Sequence, residues 1–289
     1  MIIAIVGPTG VGKTKLSVKL AKKYNAIIIN CDAMQVYKKM DIGTAKIKEN
    51  EKEGIPHYLF DIKDVTDNYT VYDYQKDARN LITKYKNRNI IFVGGTGLYL
   101  KAALYSYEFK EENSNKNNYE ALTNEALYTL ALKKDPHMNI HKNNRKRLIR
   151  FLNKENIDIP EAKPMYDVIY VGLTCERSVL YERINNRVEE MFHEGLIEEV
   201  KNFYDQKINS KALQTAIGYK ELYKYFEGSV SLEEAKELIK KNSRHYAKRQ
   251  YTWFNNQMPI TWFNVDFKNF NNTIKEVEKY IEENSQYQD

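Results

Sequence analysis

The first hundred residues alternate short apolar runs with amphipathic stretches. Ile2–Val6, Ala26–Asn30 and Asn89–Val93 are nearly continuous apolar runs of strand length. Such runs predict strands buried on both faces. Leu16, Leu20 and Ala21 follow the first run at helical spacing, and Val71, Tyr74, Ala78 and Leu81 predict a helix over residues 70 to 86. Residues 56 to 62 alternate and read as another strand. Further on, residues 168 to 173 repeat the buried-strand pattern, and Leu180, Ile184, Val188 and Met191 form the stripe of a long helix. Residues 231 to 254 predict a basic helix, 259 to 263 a short strand and 270 to 284 a last helix. Strands and helices in alternation predict an α/β fold with a parallel sheet.

The first run leads into Gly7-Pro8-Thr9-Gly10-Val11-Gly12-Lys13-Thr14 and then the first helical pattern. Strand, glycine-rich turn and helix in this order are the context a phosphate-binding P-loop requires. Glycines let successive backbone N–H groups turn inward onto phosphate oxygens, and the helix N-terminus adds positive potential. Lys13 adds a full charge, and the Thr14 hydroxyl is a candidate ligand for Mg²⁺. The fold expected is thus a P-loop NTPase-like parallel sheet flanked by helices. The motif specifies a diphosphate or triphosphate without saying which compound.

Ala26–Asn30 ends at Cys31-Asp32, and ligands in open α/β sheets gather outside the carboxyl ends of strands. Asp32 should face the same cleft as the P-loop, or else cap the following turn. His57 is open to two readings, a base or a structural histidine. Asn89–Val93 runs into Gly94-Gly95-Thr96-Gly97. P-loop ATPases commonly carry a metal-holding aspartate at such a strand end. A glycine-lined end instead suits close approach of a ligand or of backbone. Arg183 and Arg187, spaced i, i+4, are read either as closing over phosphates or as pairing with neighbouring glutamates.

Residues 111 to 164 break the alternation. The stretch 111 to 118 is polar and aperiodic, a linker; residues 119 to 134 read as a helix with Leu122, Leu127 and Leu130. A second helix starts near Asn143 or Asn144 and carries Arg145, Lys146, Arg147, Leu148, Ile149 and Arg150. Helical spacing places Arg147 and Arg150 on one face and Leu148, Phe151 and Leu152 elsewhere. That basic face is either solvated or a phosphate-backbone contact. The domains expected are a P-loop core of residues 1–110 and 165–289, and a helical insertion of 111–164.

Composition narrows the picture modestly. A chain of 289 residues, 42% hydrophobic, suits one large domain with an insertion. Its 45 basic against 39 acidic residues give a net charge of +6, which permits a nucleic-acid partner without demanding one. Cys31 and Cys175 are far apart and read as reduced thiols of a cytoplasmic protein. The first apolar run is too short for a signal peptide, and no run reaches membrane-spanning length.

Four stretches together resemble the bacterial tRNA dimethylallyltransferases (tRNA isopentenyltransferases). They are the P-loop; Asp32 to Tyr37 with Asp41-Ile42-Gly43-Thr44-Ala45-Lys46; Gly94 to Tyr99; and Ile217-Gly218-Tyr219-Lys220-Glu221 with Ala247-Lys248-Arg249-Gln250. The resemblance implies transfer of a dimethylallyl group from dimethylallyl diphosphate to N6 of the adenosine 3′ of the anticodon. It implies that Gly7 to Thr14 hold the diphosphate with Mg²⁺ as cofactor on Thr14, and that Asp32 is the general base. Thr96 corresponds to a threonine near the reacting adenosine. Asp32, Ala33, Met34 and Gln35 match one tRNA-contacting stretch, and Lys146-Arg147-Leu148-Ile149-Arg150 a second. The partners implied are the tRNA anticodon stem-loop and the prenyl diphosphate, with the protein a monomer away from membranes.

Two departures stand out. Members carrying a diphosphate-binding arginine shortly before the Gly-Tyr pair differ from this chain, which has Gln214-Thr215-Ala216 there. Arg249, Arg183 and Arg187 are the candidates to take that role. The insertion is also compressed between residues 111 and 143. Two other functional classes compete, a small-molecule kinase and a non-catalytic RNA-binding module. The Gly-Gly-Thr strand end counts against the first, and loss of function on removing Asp32 would exclude the second.

Overall fold

The computed structural model of the chain describes residues 1–109, 119–153 and 162–285. The linker expected over 111–118 lies outside the described residues. Two compact units are present, one built from residues 1–107 and 164–289, the other from 108–163.

The large unit is organised by a parallel sheet of six strands among the described residues. These are β1 (Ile2–Val6), β2 (Ala26–Asn30), β3 (His57–Tyr58), β4 (Asn89–Val93), β5 (Val168–Thr174) and β6 (Thr261–Asn264), in the spatial order β3-β2-β4-β1-β5-β6. Asn30 of β2 pairs with Val93 of β4, and Ile5 of β1 pairs with the same Val93. The register therefore brings the carboxyl ends of three strands level, and their loops open on one edge. All five residues of β2 are buried, the four apolar ones as their run requires and Asn30 with its side chain hydrogen-bonded.

The sheet is flanked by α1 (Lys13–Lys23), α2 (Val71–Lys84) and α3 (Gly97–Leu104). In the smaller unit lie α4 (Asn124–Lys134) and α5 (Arg145–Asn153). The chain then returns through α6 (Arg177–His193), α7 (Leu196–Asp205), α8 (Lys211–Thr215), α9 (Tyr219–Phe226), α10 (Leu232–Gln257) and α11 (Phe270–Ser285). Capping sets several of these boundaries. Thr70 accepts from Asp73 N–H at the start of α2, and Ser231 accepts from Glu234 N–H at the start of α10, each in a reciprocal capping box.

Two expectations are corrected. Of residues 56 to 62, only His57 and Tyr58 join the sheet, because Leu59 and Asp61 take left-handed backbone angles (φ 63° and 53°) that end the extended run. The helix expected from residue 119 starts at Asn124, where the Thr123 side chain caps it by accepting from Ala126 N–H. Leu122 precedes that helix and Leu130 is an exposed residue of it.

The smaller unit has its own core of Leu127, Ala131, Ile140 and Leu148. Arg145 is spent internally, its guanidinium donating to the carbonyls of Leu122 and Glu120 at 2.6 and 2.7 Å. Lys146, Arg147 and Arg150 are exposed. No helix of the described residues is long and apolar enough to cross a membrane.

Candidate active site

A cavity of about 950 Å³ opens at the level strand ends. Its walls include Thr9, Gly10 and Gly12 to Thr14 of the P-loop, Asp32 to Gln35, Gly94 to Thr96, and Arg187 and Arg249. The expected core-unit residues are therefore brought together, apart from Gly7, Pro8 and Val11, which are buried behind the loop and shape it.

The loop's form follows from close packing. Gly7 has φ +139°, and a Cβ there would collide with the Leu173 carbonyl of β5. Pro8 offers its carbonyl to Lys13 Nζ at 2.7 Å, which tethers the lysine across its own loop. Helix α6 packs on the loop through Leu180 and Ile184, both buried, with Ile184 near Gly10. This seating turns the i, i+4 arginines onto the loop: Arg183 Nε donates to Gly10 O at 3.0 Å, and Arg187 Nη1 donates to Thr9 Oγ1 at 3.2 Å. Their hydrogen bonds thus run to the loop, while Glu190 acts on Arg187 through its charge.

Charge is concentrated here. Burial, reinforced by the nearby Arg187 cation, lowers the Lys13 pKa to about 7, while Asp32 opposes the shift. Burial also depresses Arg187. Two cations crowded in one pocket create a site that favours a multivalent anion. Asp32 is raised above the ordinary carboxylate range by burial, held back by Met34 N–H and by Lys13.

Asp32 meets both of its sequence readings. Its Oδ1 accepts from Met34 N–H at 2.9 Å, closing a turn, while the residue lines the cavity. Buried Asn30 fixes it from below, accepting Asp32 N–H at 3.0 Å and donating to Leu59 O at 2.9 Å. Thr96 Oγ1 accepts from Ala33 N–H at 3.0 Å, so the β2 and β4 loops are joined beside Asp32. Gln35 Nε2 donates to Thr44 O at 3.0 Å, which binds the first half of the Asp32–Lys46 segment to its second half. His57 donates from Nδ1 to Ile55 O at 2.8 Å, and burial lowers its pKa, the behaviour of a neutral structural histidine.

Arg249 lies on the cavity with its guanidinium 5.7 Å from the Tyr246 ring centroid. Gln214 is exposed and bonds Asn209, while Thr215 and Ala216 reach the cavity. Thr14 is exposed on the cavity wall at the first turn of α1. No group of three or more His, Cys, Asp or Glu side chains suited to a metal occurs among the described residues. A metal on Thr14 would therefore draw its remaining ligands from substrate oxygens and water, the usual habit of Mg²⁺.

In the smaller unit, Leu148 is fully buried in the core. Its side chain cannot meet a ligand, so the expected contact stretch narrows to Lys146, Arg147, Arg150 and the half-buried Ile149.

Reading the sequence in segments misses Glu199 of α7. Its carboxylate accepts from the N–H groups of Asp41, Ile42 and Gly43 at 3.0, 2.8 and 3.0 Å, and from the Tyr219 hydroxyl. It thereby ties the Asp41–Lys46 motif to the Gly218-Tyr219 motif. Its partners along the cavity loop lie more than 150 residues away, so no local spacing signals it.

The model of the IPP transferase family matches residues 35–257. A tRNA dimethylallyltransferase of Geobacillus thermodenitrificans is 48% identical, covering 97% of this chain and 96% of that protein. The tRNA dimethylallyltransferase of Bacillus subtilis is 45% identical over 91% and 90% of the two chains. Among solved structures, the tRNA isopentenylpyrophosphate transferase of Bacillus halodurans superposes with a TM-score of 0.78 at 44% identity, covering 99% and 98%. A eukaryotic dimethylallyltransferase acting on tRNA gives 0.82 at 26% identity, covering 99% of this chain and 79% of that one. With the phosphate loop, the strand-end aspartate and threonine and these likenesses in agreement, the chain belongs to the IPP transferase family.

Proposed function

We propose that this chain transfers the dimethylallyl group of dimethylallyl diphosphate to the N6 amine of the adenosine 3′ of the anticodon in tRNA. The observation that carries the reading is the placement of the Asp32 carboxylate in the same cavity as two cations, Lys13 of the P-loop and Arg187 of α6. The bond between the allylic carbon and the diphosphate oxygen breaks, and the bond from N6 to that carbon forms. The proton leaves N6 for Asp32, and diphosphate departs with the electron pair.

Each residue has a defined task. The loop backbone at Gly10, Gly12, Lys13 and Thr14, with the Lys13 and Arg187 side chains, holds the diphosphate and stabilises charge as it develops on the leaving group. Arg183 steadies the loop at Gly10, and Arg249 faces the same anion from α10. When bound at Thr14, Mg²⁺ supplies further charge neutralisation. Asp32 must be ionised to accept the proton, and its raised pKa makes it a stronger base than a solvated carboxylate. Ala33, Met34, Gln35 and Thr96 border the acceptor. The base must leave its stack to enter the cavity. The insertion supplies Lys146, Arg147 and Arg150 to the tRNA backbone.

The test is incorporation of labelled dimethylallyl diphosphate into unmodified tRNA, with Mg²⁺ and without ATP. Incorporation that disappears when the target adenosine is replaced supports the reading. No incorporation together with ATP turnover would replace it with a kinase.

A further inference from the structure

The Ala247-Lys248-Arg249-Gln250 stretch carries a residue that the reaction above does not use. Gln250 lies on α10, 4% exposed, with its carboxamide between two loops. Oε1 accepts from the backbone N–H of Thr9 in the P-loop at 3.1 Å. Nε2 donates to the backbone carbonyl of Gly95 at 3.1 Å. A side chain on Gly95 would collide with that amide, so the second glycine of Gly94-Gly95-Thr96 is the one that admits Gln250. One turn earlier on α10, the Tyr246 hydroxyl lies near the side chains of Thr96 and Gln250 on the same cavity wall. Thr96 in turn accepts from Ala33 N–H, next to Asp32.

We propose that Gln250, assisted by Tyr246, is a positioning residue that couples the diphosphate loop to the acceptor side of the cavity. The two loops end different strands, and the carboxamide meets each by a bond that the other loop cannot replace. A buried amide satisfied at both ends has little freedom to follow one loop without the other. Ordering the P-loop around a diphosphate therefore orders Gly95 and Thr96 as well, and an acceptor that finds them ordered binds more tightly. Linkage makes the effect reciprocal. This inference rests on the prenyl-transfer reading for the identity of its two ligands, but its test is a binding measurement.

The affinity of the full chain for pyrophosphate with Mg²⁺ is measured with and without unmodified tRNA bearing the target adenosine. In the unaltered protein, tRNA is expected to tighten pyrophosphate binding about fivefold or more, the lower range for linked sites. Gln250→Met keeps the length and apolar stem and removes both bonds. Its expected coupling ratio is near one, with each ligand's separate affinity changed less than roughly threefold and kcat lowered about tenfold or more. Tyr246→Phe removes one hydroxyl at Thr96 and serves as the second variant should Gln250→Met not fold. It is expected to cut the coupling ratio by roughly half or more. A purely structural role would lower the melting temperature and leave the ratio unchanged. No coupling in the unaltered protein, or coupling intact in the folded variants, overturns the inference. Absence of prenyl transfer by the unaltered protein overturns the proposed function instead, and the coupling ratio still decides this inference.

Discussion

In the core unit, Asp32 and the loops around it are held by hydrogen bonds, several of them between segments remote in sequence. Asn30 grips Asp32, Thr96 grips Ala33, and Gln250 joins Thr9 to Gly95 across 241 and 155 residues. In the insertion, Lys146, Arg147 and Arg150 project from a short helix anchored by the buried Leu148. The first arrangement fixes atoms to within hydrogen-bonding tolerance, which proton transfer requires. The second presents charge without fixing it, which suffices for binding a polyanion. Damage to the two regions should therefore show in different measurements.

The largest effect is expected at the base. Asp32→Ala should lower prenyl transfer by about 10² to 10⁴, the usual worth of a positioned general base. Filter binding of tRNA should remain within roughly threefold of the unaltered protein, since the carboxylate acts mainly in the transition state. Turnover at the normal rate would reduce Asp32 to the turn residue that its bond to Met34 N–H also makes it.

Leu148→Ala strikes the insertion instead. It opens a cavity in a core of four buried residues, and should destabilise the insertion by about 2–5 kcal/mol. Hydrogen exchange should quicken across α4 and α5 and tRNA binding should weaken, while pyrophosphate binding is preserved. Loss of pyrophosphate binding would show that the two units do not fail separately.

Legibility in the sequence follows the same division. Buried strands β2 and β4 are visible to the residue, because a strand covered on both faces is apolar along nearly its whole length. The P-loop is visible because its chemistry is contiguous. Beyond residue 58 the expected strand fails, since alternation cannot report the left-handed angles of Leu59 and Asp61. Glu199 and Gln250 are invisible as roles, because each acts on backbone atoms of distant loops, and backbone atoms leave no residue pattern. The arginine pair on α6 is visible, but its choice between glutamates and the P-loop depends on how Leu180 and Ile184 seat that helix.

A smaller effect is expected from surface charge. Replacing Arg147 and Arg150 with Gln should weaken tRNA binding and reduce the slope of log K against log salt by about 0.7–0.9 for each phosphate no longer neutralised. The melting temperature should hold, because both side chains are exposed. An unchanged slope would make that face of α5 a solvated one.

The smallest signal concerns a single proton. Burial and Arg187 leave Lys13 with a pKa of about 7 in the free protein, so most of the population is neutral at pH 8. A bound diphosphate favours the ammonium and raises that pKa. Binding at pH 8 should therefore draw a proton from solution, and the affinity contribution of Lys13 should grow as pH falls from about 9 toward 7. Calorimetry of pyrophosphate binding in two buffers of different ionisation enthalpy measures the uptake. The anion's own protonation adds to the signal, so the reference is Lys13→Arg, whose cation is charged throughout this range. The variant should take up fewer protons than the unaltered protein. Equal uptake would assign the whole signal to the ligand and leave Lys13 a permanently charged member of the loop, no different in kind from the exposed cations of α5.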